Sequence, residues 1–418
     1  MAERSIIRRR QWLLTRDFSL VWWSQVLSQV ADGVSKLALL WFVYSITGSP
    51  LKTTVIGLLQ TLPPILLGPI IGVTVDRLPK KVILICSDLA RALLIGLIPC
   101  WVSVESFTVQ WLYVLTFLYG IATAMFVPTL SSSVPLMVNR SQLTAANALL
   151  QGTTSLGIII GPAISGLGIA LSGSQDVLCL NAVTYVASAV FLFPLRLSKG
   201  AAQSLTETNR PTAFQDLIDG IRYTLVSHRT ILVLIVLASL YTFGSGAFTT
   251  LFPVFGKKLL SLGPVEVGYL WSWLGVGLLM VSLSLIRLTG WSLARRVSVI
   301  TLSSAVGGLS LWALIWTSNM GVATILVVLI GIGYGTWTPI AWGIIQELSP
   351  AHMIGRVMAL YTAIATATSM AGMTFFGWLM EISNESVSLV GIGTVLLVLA
   401  VLTAWFRRRL AREPFPIA

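Results

Sequence analysis

The chain has 418 residues, of which 56% are apolar and 10% are charged, whereas about 25% of the residues in an ordinary soluble domain are charged. No soluble fold buries that much apolar surface, so the composition predicts an all-α integral membrane protein. The net charge of +12 comes from short basic clusters between apolar runs, a pattern typical of membrane-protein loops, and it argues against nucleic-acid binding.

Twelve apolar runs, separated by polar, Gly or Pro breaks, are long enough to cross a membrane as helices. The first six are predicted near residues 18–46, 52–75, 82–103, 109–136, 144–171 and 176–196. The second six are predicted near residues 230–254, 264–286, 297–316, 321–346, 356–380 and 386–406. The first run is about twice as long as the core of a cleaved signal peptide, which indicates a permanent span.

The spans divide the chain into three predicted parts. We expect an N-terminal six-helix bundle over residues 1–197, a cytoplasmic linker over 198–229 and a C-terminal six-helix bundle over 230–418. The linker contains apolar residues at helical spacing, namely Phe214, Leu217, Ile218, Ile221 and Leu225. They fit either an amphipathic helix on the membrane surface or a helix in a solvated linker.

Basic residues sort by side of the membrane. Of the 27 Lys and Arg residues, 22 fall on tails and loops of one predicted side, and Lys52, Lys257 and Lys258 fall on the other. Because loops rich in Lys and Arg remain in the cytoplasm, this asymmetry predicts that both termini are cytoplasmic.

An internal repeat becomes visible when the sequence is aligned with itself at an offset of 211 residues. The matched pairs are Gly33 with Gly244, Gly57 with Gly268, Gly120 with Gly331, Pro128 with Pro339, Gly161 with Gly372, and Gly166 with Gly377. They fall at equivalent points of spans 1, 2, 4 and 5 in each half. A period of six spans returns the chain to the same side, so we expect two parallel repeats with a cavity between them.

A polar stripe runs along the apolar first span. It consists of Gln25, Gln29, Asp32 and Lys36, whose spacing places them on one helix face over about 16 Å. A charge at bilayer depth costs about 2.5–3.5 kcal/mol, so Asp32 and Lys36 must face a cavity or pair with each other. Two interpretations stay open, since Asp32 is either a protonatable coupling site or half of a constitutive ion pair.

The loop between spans 2 and 3 combines an acid with several bases, namely Gly72, Asp76, Arg77, Lys80 and Lys81. A loop that only sets membrane topology explains the bases but not the acid. A carboxylate at a helix end accepts hydrogen bonds from free amides of a neighbouring helix, and a glycine permits close approach. Asp88 and Arg91, three residues apart in span 3, are interpreted as a pair that supports this loop rather than as substrate contacts.

Span 5 carries Gly157, Gly161 and Gly166 at spacings of four and five residues, together with Pro162. Small residues at such spacing predict close helix packing, and the proline predicts a distortion. Asn147 and Gln151, one turn apart near the start of this span, either extend the cavity wall or bond neighbouring helices. Several deep aromatic residues are also expected to face the cavity, drawn from Trp41, Tyr119, Tyr241, Trp337, Trp342 and Tyr361.

These features resemble the major facilitator superfamily over essentially the whole chain. The most specific is Gly72-x3-Asp76-Arg77-x2-Lys80-Lys81, which resembles the signature loop of the superfamily with Pro79 where glycine is usual. Three further segments resemble the bacterial exporter branch that includes macrolide efflux pumps and the enterobactin exporter. They are Arg16-Asp17-Phe18, the run from Leu143 to Leu149, and Gly355-Arg356-Val357.

The resemblance implies the twelve-helix major facilitator fold and gives the motifs their roles. The signature loop would be a cytoplasmic latch that favours the outward-open state, supported by Asp88 and Arg91. The span 5 glycines and Pro162 would form an incomplete antiporter motif. Two departures weaken this picture, because the second-half counterpart of the loop, Gly290 to Arg296, has no acid, and span 4 lacks an arginine that many proton-driven exporters carry.

The function implied is secondary active export of a hydrophobic or amphiphilic small molecule, such as a drug, macrolide or siderophore-like compound. The resemblance also implies that transport is proton antiport, that the protein is a monomer and that it lies in the bacterial inner membrane. A lipid or lysophospholipid flippase of this fold and a non-transporting scaffold are the alternatives. An enzyme, a metal site and a cofactor are not expected, because His228 and His352 lie in loops, the three cysteines lack ligand spacing, and no nucleotide-binding motif occurs.

Overall fold

The computed structural model describes residues 15–102, 109–139, 142–196, 229–285, 291–350 and 353–410, which form twelve α-helices. The first four are α1 (Arg16–Thr47), α2 (Pro50–Arg77), α3 (Lys80–Val102) and α4 (Val109–Ser133). A single helical segment, Leu143–Leu192, follows and is interrupted at Gly173, where φ is 88° and ψ is 163°. Only glycine adopts such a conformation readily, so we divide the segment into α5 (143–172) and α6 (174–192).

The second half repeats this arrangement. Its helices are α7 (Arg229–Lys258), α8 (Pro264–Leu285), α9 (Leu293–Ala313), α10 (Met320–Leu348), α11 (Ile354–Ile382) and α12 (Glu385–Leu410). Apart from Arg229, the predicted linker over 198–229 and its five apolar residues lie outside the described residues.

The first two helices begin where short polar side chains satisfy free backbone amides. Thr15 Oγ1 accepts a hydrogen bond from the Phe18 amide at 3.2 Å, and Ser49 Oγ accepts one from the Lys52 amide at 3.2 Å. Between them, Gly48 ends α1 with a φ of 63°, which permits a turn of only two residues before α2.

The predicted membrane spans are confirmed. Eleven of the described helical segments, with Leu143–Leu192 counted once, are long and apolar enough to cross a membrane. The helix starts agree with the predicted starts to within about four residues. Some helices continue beyond the apolar run, as α7 does to Lys258 and α12 to Leu410, because polar residues outside the hydrocarbon region do not end a helix.

The molecule has two ends, which we name by their residues. The basic end is where α1 begins and α2 ends, and it carries Arg16, Arg77, Lys80 and Lys81. The far end is where α1 ends and α2 begins, around residues 47–50, and it also carries the end of α11. At the basic end, Lys81 Nζ donates to the carbonyl oxygen of Phe193, just after α6, at 2.5 Å.

The two halves touch each other closely in the part of the molecule toward the far end. A Cβ added to Gly166 of α5 would lie 2.3 Å from the carbonyl oxygen of Pro264 in α8, and one added to Gly377 of α11 would lie 2.6 Å from Thr54 Oγ1 in α2. Gly166 and Gly377 are a pair in the 211-residue repeat. The repeat therefore places equivalent glycines at two equivalent crossings between the halves.

Candidate functional site

A cavity of about 240 Å³ lies between the halves. Its wall comes from α1, α2 and α4 of the first half and from α7 and α11 of the second. The lining residues are Asp32, Lys36, Gly57, Gln60, Thr61, Tyr119, Gly120, Thr123, Thr249, Thr250 and Met373. Its two charged residues, Asp32 and Lys36, both belong to the polar stripe predicted on the first span.

Asp32 forms an ion pair with Arg91 of α3. Arg91 Nη1 donates to Asp32 Oδ1 at 3.1 Å, and Arg91 Nη2 contacts Asp88 Oδ1 one turn earlier on its own helix. The Asp32 side chain is 26% exposed, whereas those of Arg91 and Asp88 are 1% and 0% exposed. One guanidinium is thus shared between a carboxylate at the cavity wall and a carboxylate sealed behind it.

Hydroxyl groups complete the hydrogen bonding of the two carboxylates. Tyr185 and Tyr119 both donate to Asp32 Oδ1, at 2.6 and 3.1 Å, and their hydroxyls lie 2.7 Å apart. Ser188 Oγ donates to Asp88 Oδ2 at 2.7 Å. Because buried charges are stable only when they are paired and hydrogen-bonded, these hydroxyls make an intramembrane carboxylate network possible.

Two aromatic rings enclose the guanidinium of Arg91. Its Cζ lies 4.4 Å from the ring centre of Phe126 and 4.8 Å from that of Tyr185, positions in which the ring faces attract a cation. Tyr185 therefore contacts both the cation and the carboxylate of the Asp32 pair.

Lys36 does not pair with Asp32, although the four-residue spacing permits it. Its Nζ lies 5.6 Å from the ring centre of Trp271 in α8, across the boundary between the halves. The Lys36 side chain is exposed, and it forms no ion pair with any described residue. The sequence left open whether Asp32 and Lys36 face a cavity or pair with each other. Both residues line the cavity, and Asp32 forms its ion pair with Arg91 of α3 instead.

The remaining polar candidates lie elsewhere. Gln25 is 4% exposed and Gln29 is half-buried, and neither lines the cavity, because α1 packs against α5 at this level. Asn147 and Gln151 are exposed near the start of α5, also away from the cavity. The polar stripe therefore divides into a packed part and a part that faces the cavity.

The signature loop lies at the basic end, away from the cavity. A Cβ added to Gly72 would meet no atom of the described residues within 4 Å, so none of them packs closely against this glycine in this conformation. Arg77 is exposed, Lys80 is half-buried, and the side chain of Asp76 lies outside the described part of the chain. Asp88 and Arg91, predicted to support this latch, instead join Asp32, because α3 carries them about two to three turns beyond the loop.

The counterpart of this loop in the second half contains a salt bridge that the sequence did not reveal. Arg296 of α9 donates through Nη1 and Nη2 to the two carboxylate oxygens of Glu347 in α10, at 2.8 and 2.6 Å. The acid missing from the Gly290 to Arg296 segment is thus supplied by a neighbouring helix.

The span 5 glycines do pack closely, and they contact two different helices. A Cβ on Gly157 would lie 2.3 Å from the Gln29 carbonyl oxygen, and one on Gly161 would lie 2.6 Å from Gly33 Cα, both in α1. Gly166 instead contacts α8 of the other half, and Pro162 presents its carbonyl oxygen to Gly268 of α8.

The deep aromatic residues are mostly core. Tyr119 reaches the cavity, whereas Tyr241, Trp337 and Tyr361 are buried together in the second half, where the Tyr241 and Trp337 rings stack with centres 5.6 Å apart. Trp41 is buried near the far end beneath Lys257, and Trp342 is 40% exposed. The sequence did not point to Tyr185, Ser188 or Gln60, although a hydroxyl in the middle of an apolar span was a signal available for the first two.

Comparison with known proteins identifies the family. The sequence profile described as Major Facilitator Superfamily matches residues 21–372. The chain belongs to this superfamily. The resemblance predicted from the signature loop and the repeat is therefore confirmed, as is the fold, and the protein is a multi-pass membrane transporter for a small molecule rather than an enzyme.

Curated relatives include efflux proteins. The chain is 24% identical over 360 residues to macrolide efflux protein A of Streptococcus pyogenes, covering 85% of this chain and 87% of that protein. It is also 24% identical over 398 residues to the multidrug efflux pump Tap of Mycolicibacterium fortuitum, covering 93% and 95%.

Solved structures share the fold. A bacterial homologue of the iron transporter ferroportin, in an inward-facing state, matches with a TM-score of 0.71 and 16% identity. The match covers 94% of this chain and 98% of that structure. At this identity the similarity extends to the fold alone.

Proposed function

We propose that the chain exports a hydrophobic or amphiphilic small molecule from a bacterial cell in exchange for protons. Efflux names among the relatives support the direction of transport. The observation that carries the coupling is the position of Asp32, whose carboxylate is reached from the cavity while its partners Arg91 and Asp88 are sealed.

The shared guanidinium gives Asp32 a physical reason to exchange a proton. With both carboxylates ionised, Arg91 compensates only one of two negative charges. Protonation of Asp32 would remove the excess charge and leave the Arg91–Asp88 pair intact. A carboxylate of this kind, open to a cavity that reaches each side in turn, is suited to carry a proton across the membrane.

The proposal also includes an orientation of the chain in the membrane. The basic end is proposed to face the cytoplasm, which the distribution of Lys and Arg supports. The contacts between the halves that we describe lie toward the far end, so this conformation is proposed to be open toward the cytoplasm. The chain is proposed to work as a monomer in the inner membrane, since each half contributes to one cavity.

Transport into liposomes tests the proposal. Purified protein under an imposed proton gradient should accumulate at least one member of a panel of lipophilic cations, macrolides, siderophores and labelled lysolipid. Asp32→Asn should abolish gradient-driven accumulation and retain exchange of labelled for unlabelled substrate, because the neutral amide cannot carry the proton. Asp176→Asn, a change at an exposed residue of α6, is the matched control.

Two results would contradict the proposal. If no class of solute moves, the chain is not an exporter of this kind. If Asp32→Asn pumps as the wild type does across the full pH range, coupling does not use Asp32. Preferential movement of the lysolipid would favour a flippase instead.

A further inference from the structure

Lys36 is a cation in the cavity wall that no acid in the described part of the chain satisfies. Among the described residues it forms no ion pair, and its contact is with the face of Trp271, 5.6 Å from its Nζ. An ammonium has three donors and is costly to hold unpaired at bilayer depth. An aromatic face attracts the charge but accepts none of these hydrogen bonds in full.

Unlike Lys36, Asp32 already has partners within the protein. Its Oδ1 already accepts hydrogen bonds from Arg91, Tyr119 and Tyr185, and its Oδ2 lies 3.4 Å from Arg91 Nη1. Groups of the first half therefore already occupy Oδ1 of this carboxylate. Of the two charged groups at the cavity wall, the one that a bound molecule can still satisfy is the ammonium of Lys36.

The rest of the cavity wall offers hydroxyl and amide groups. Thr61 and Thr249 donate to carbonyl oxygens of their own helices, at 2.7 and 3.0 Å, which leaves Lys36 as the strongest donor at the wall. A volume of about 240 Å³ is smaller than the roughly 300–1,000 Å³ of sites that enclose a drug-sized ligand. The cavity thus fits a polar head group rather than a whole amphiphile.

We propose that Lys36 selects the substrate by its head group, donating hydrogen bonds to an acceptor oxygen and excluding a cationic group from the cavity. Carbonyl, ether, carboxylate and phosphate oxygens share this chemistry, whereas a quaternary ammonium has no N–H to donate, meets the like charge of Lys36, and finds Asp32 already bound to Arg91 and two tyrosines. This inference rests on the proposed function in one respect, that the cavity is the substrate site. It does not depend on proton coupling.

Equilibrium binding measurements compare the affinities for these head groups. Protein in nanodiscs, with empty nanodiscs subtracted, is titrated with amphiphiles that share a decyl chain and end in an amide, a carboxylate or a trimethylammonium. The wild type should bind the amide and the carboxylate at least about tenfold more tightly than the cation. Lys36→Gln should reduce this ratio to within about threefold, Lys36→Arg should keep it, and Lys52→Gln at the far end is the control.

The outcomes distinguish this inference from the exporter proposal. Equal or tighter binding of the cation by the wild type, or a ratio that Lys36→Gln leaves unchanged, overturns the inference and leaves the exporter proposal standing. Absence of binding by every amphiphile also overturns the inference, whereas the exporter proposal is decided by the liposome assay. A lysophospholipid that binds more tightly than the decyl carboxylate, with the same dependence on Lys36, supports the inference and identifies a lipid as the source of the acceptor oxygens.

Discussion

Arg91 organises the charged interior of the first half. It contacts two carboxylates and two aromatic rings while remaining 1% exposed, so removal of its charge leaves Asp32 and Asp88 facing each other without a cation. The destabilisation caused by deleting one member of a buried ion network exceeds the net stabilisation that the network provides, because the remaining charges stay desolvated.

We expect Arg91→Met to lower the free energy of unfolding by about 3–5 kcal/mol. Thermal melting in detergent measures the effect. Combining Arg91→Met with Asp88→Asn should recover part of the loss, since one of the two uncompensated carboxylates is then removed. Arg408→Met, a change at an exposed residue of α12, should melt as the wild type does. A wild-type melting temperature for Arg91→Met would contradict a network organised by this guanidinium.

At this scale the sequence revealed the charges but not their partners. Asp32 is a candidate from the sequence alone because an acid within an apolar span is costly, an argument that needs no structure. Its partner Arg91 is 59 residues away on another helix, and no local spacing predicts that contact. Local spacing permitted a contact between Lys36 and Asp32, but the Lys36 side chain instead crosses to Trp271 of the second half.

At the scale of helices, α5 has two glycine faces with different neighbours. Gly157 and Gly161 allow α1 and α5 to touch within the first half, whereas Gly166 allows α5 to touch α8 across the boundary between the halves. The sequence predicted close packing from the spacing of these glycines. It did not separate the two faces, since the neighbour of each face is set by the arrangement of all twelve helices.

Gly161→Ala should destabilise the fold by about 1–3 kcal/mol, because the added methyl would lie 2.6 Å from Gly33 Cα and the helices must separate. Gly152 lies on the same helix, and a methyl group added there would meet no atom of the described residues within 4 Å, so it provides the matched control. Gly152→Ala should be neutral or stabilise by up to about 1 kcal/mol through helix propensity. Melting curves that rank these variants in the opposite order would exclude the proposed packing role of Gly161.

For the whole molecule, the two halves share a fold but not a chemistry. Equivalent glycines form equivalent crossings in both halves, which explains why the 211-residue offset predicted the architecture. The intramembrane acids belong to the first half, and the corresponding interior of the second half contains the aromatic cluster of Tyr241, Tyr334 and Trp337. Repeats preserve backbone packing, which both halves need, whereas the proposed proton coupling needs only one set of charges.

The far end also contains a polar contact between the halves that no sequence motif indicates. Glu381, near the end of α11, accepts hydrogen bonds from Ser49 Oγ at 2.8 Å and from the Leu51 amide at 3.3 Å. A carboxylate at the start of a helix is stabilised by free amides and by the helix dipole. Lys257 of α7 adds a second contact, with its Nζ 5.2 Å from the Trp41 ring centre. Both contacts must break if the far end opens.

We therefore expect Glu381→Gln to favour opening of the far end by about 1 kcal/mol, which is roughly a fivefold change in population. Spin labels at Lys52→Cys and Lys258→Cys, in a variant whose three native cysteines are replaced by serine, report the distance between the halves. Glu385→Gln is the control, because it changes a nearby carboxylate at the far end.

Gly166→Ala should open the same end by a steric route, since its methyl would lie 2.3 Å from the Pro264 carbonyl oxygen. If Gly166→Ala lengthens the distance and Glu381→Gln does not, the end is closed by helix packing alone, and the carboxylate contributes only to the local capping of α2.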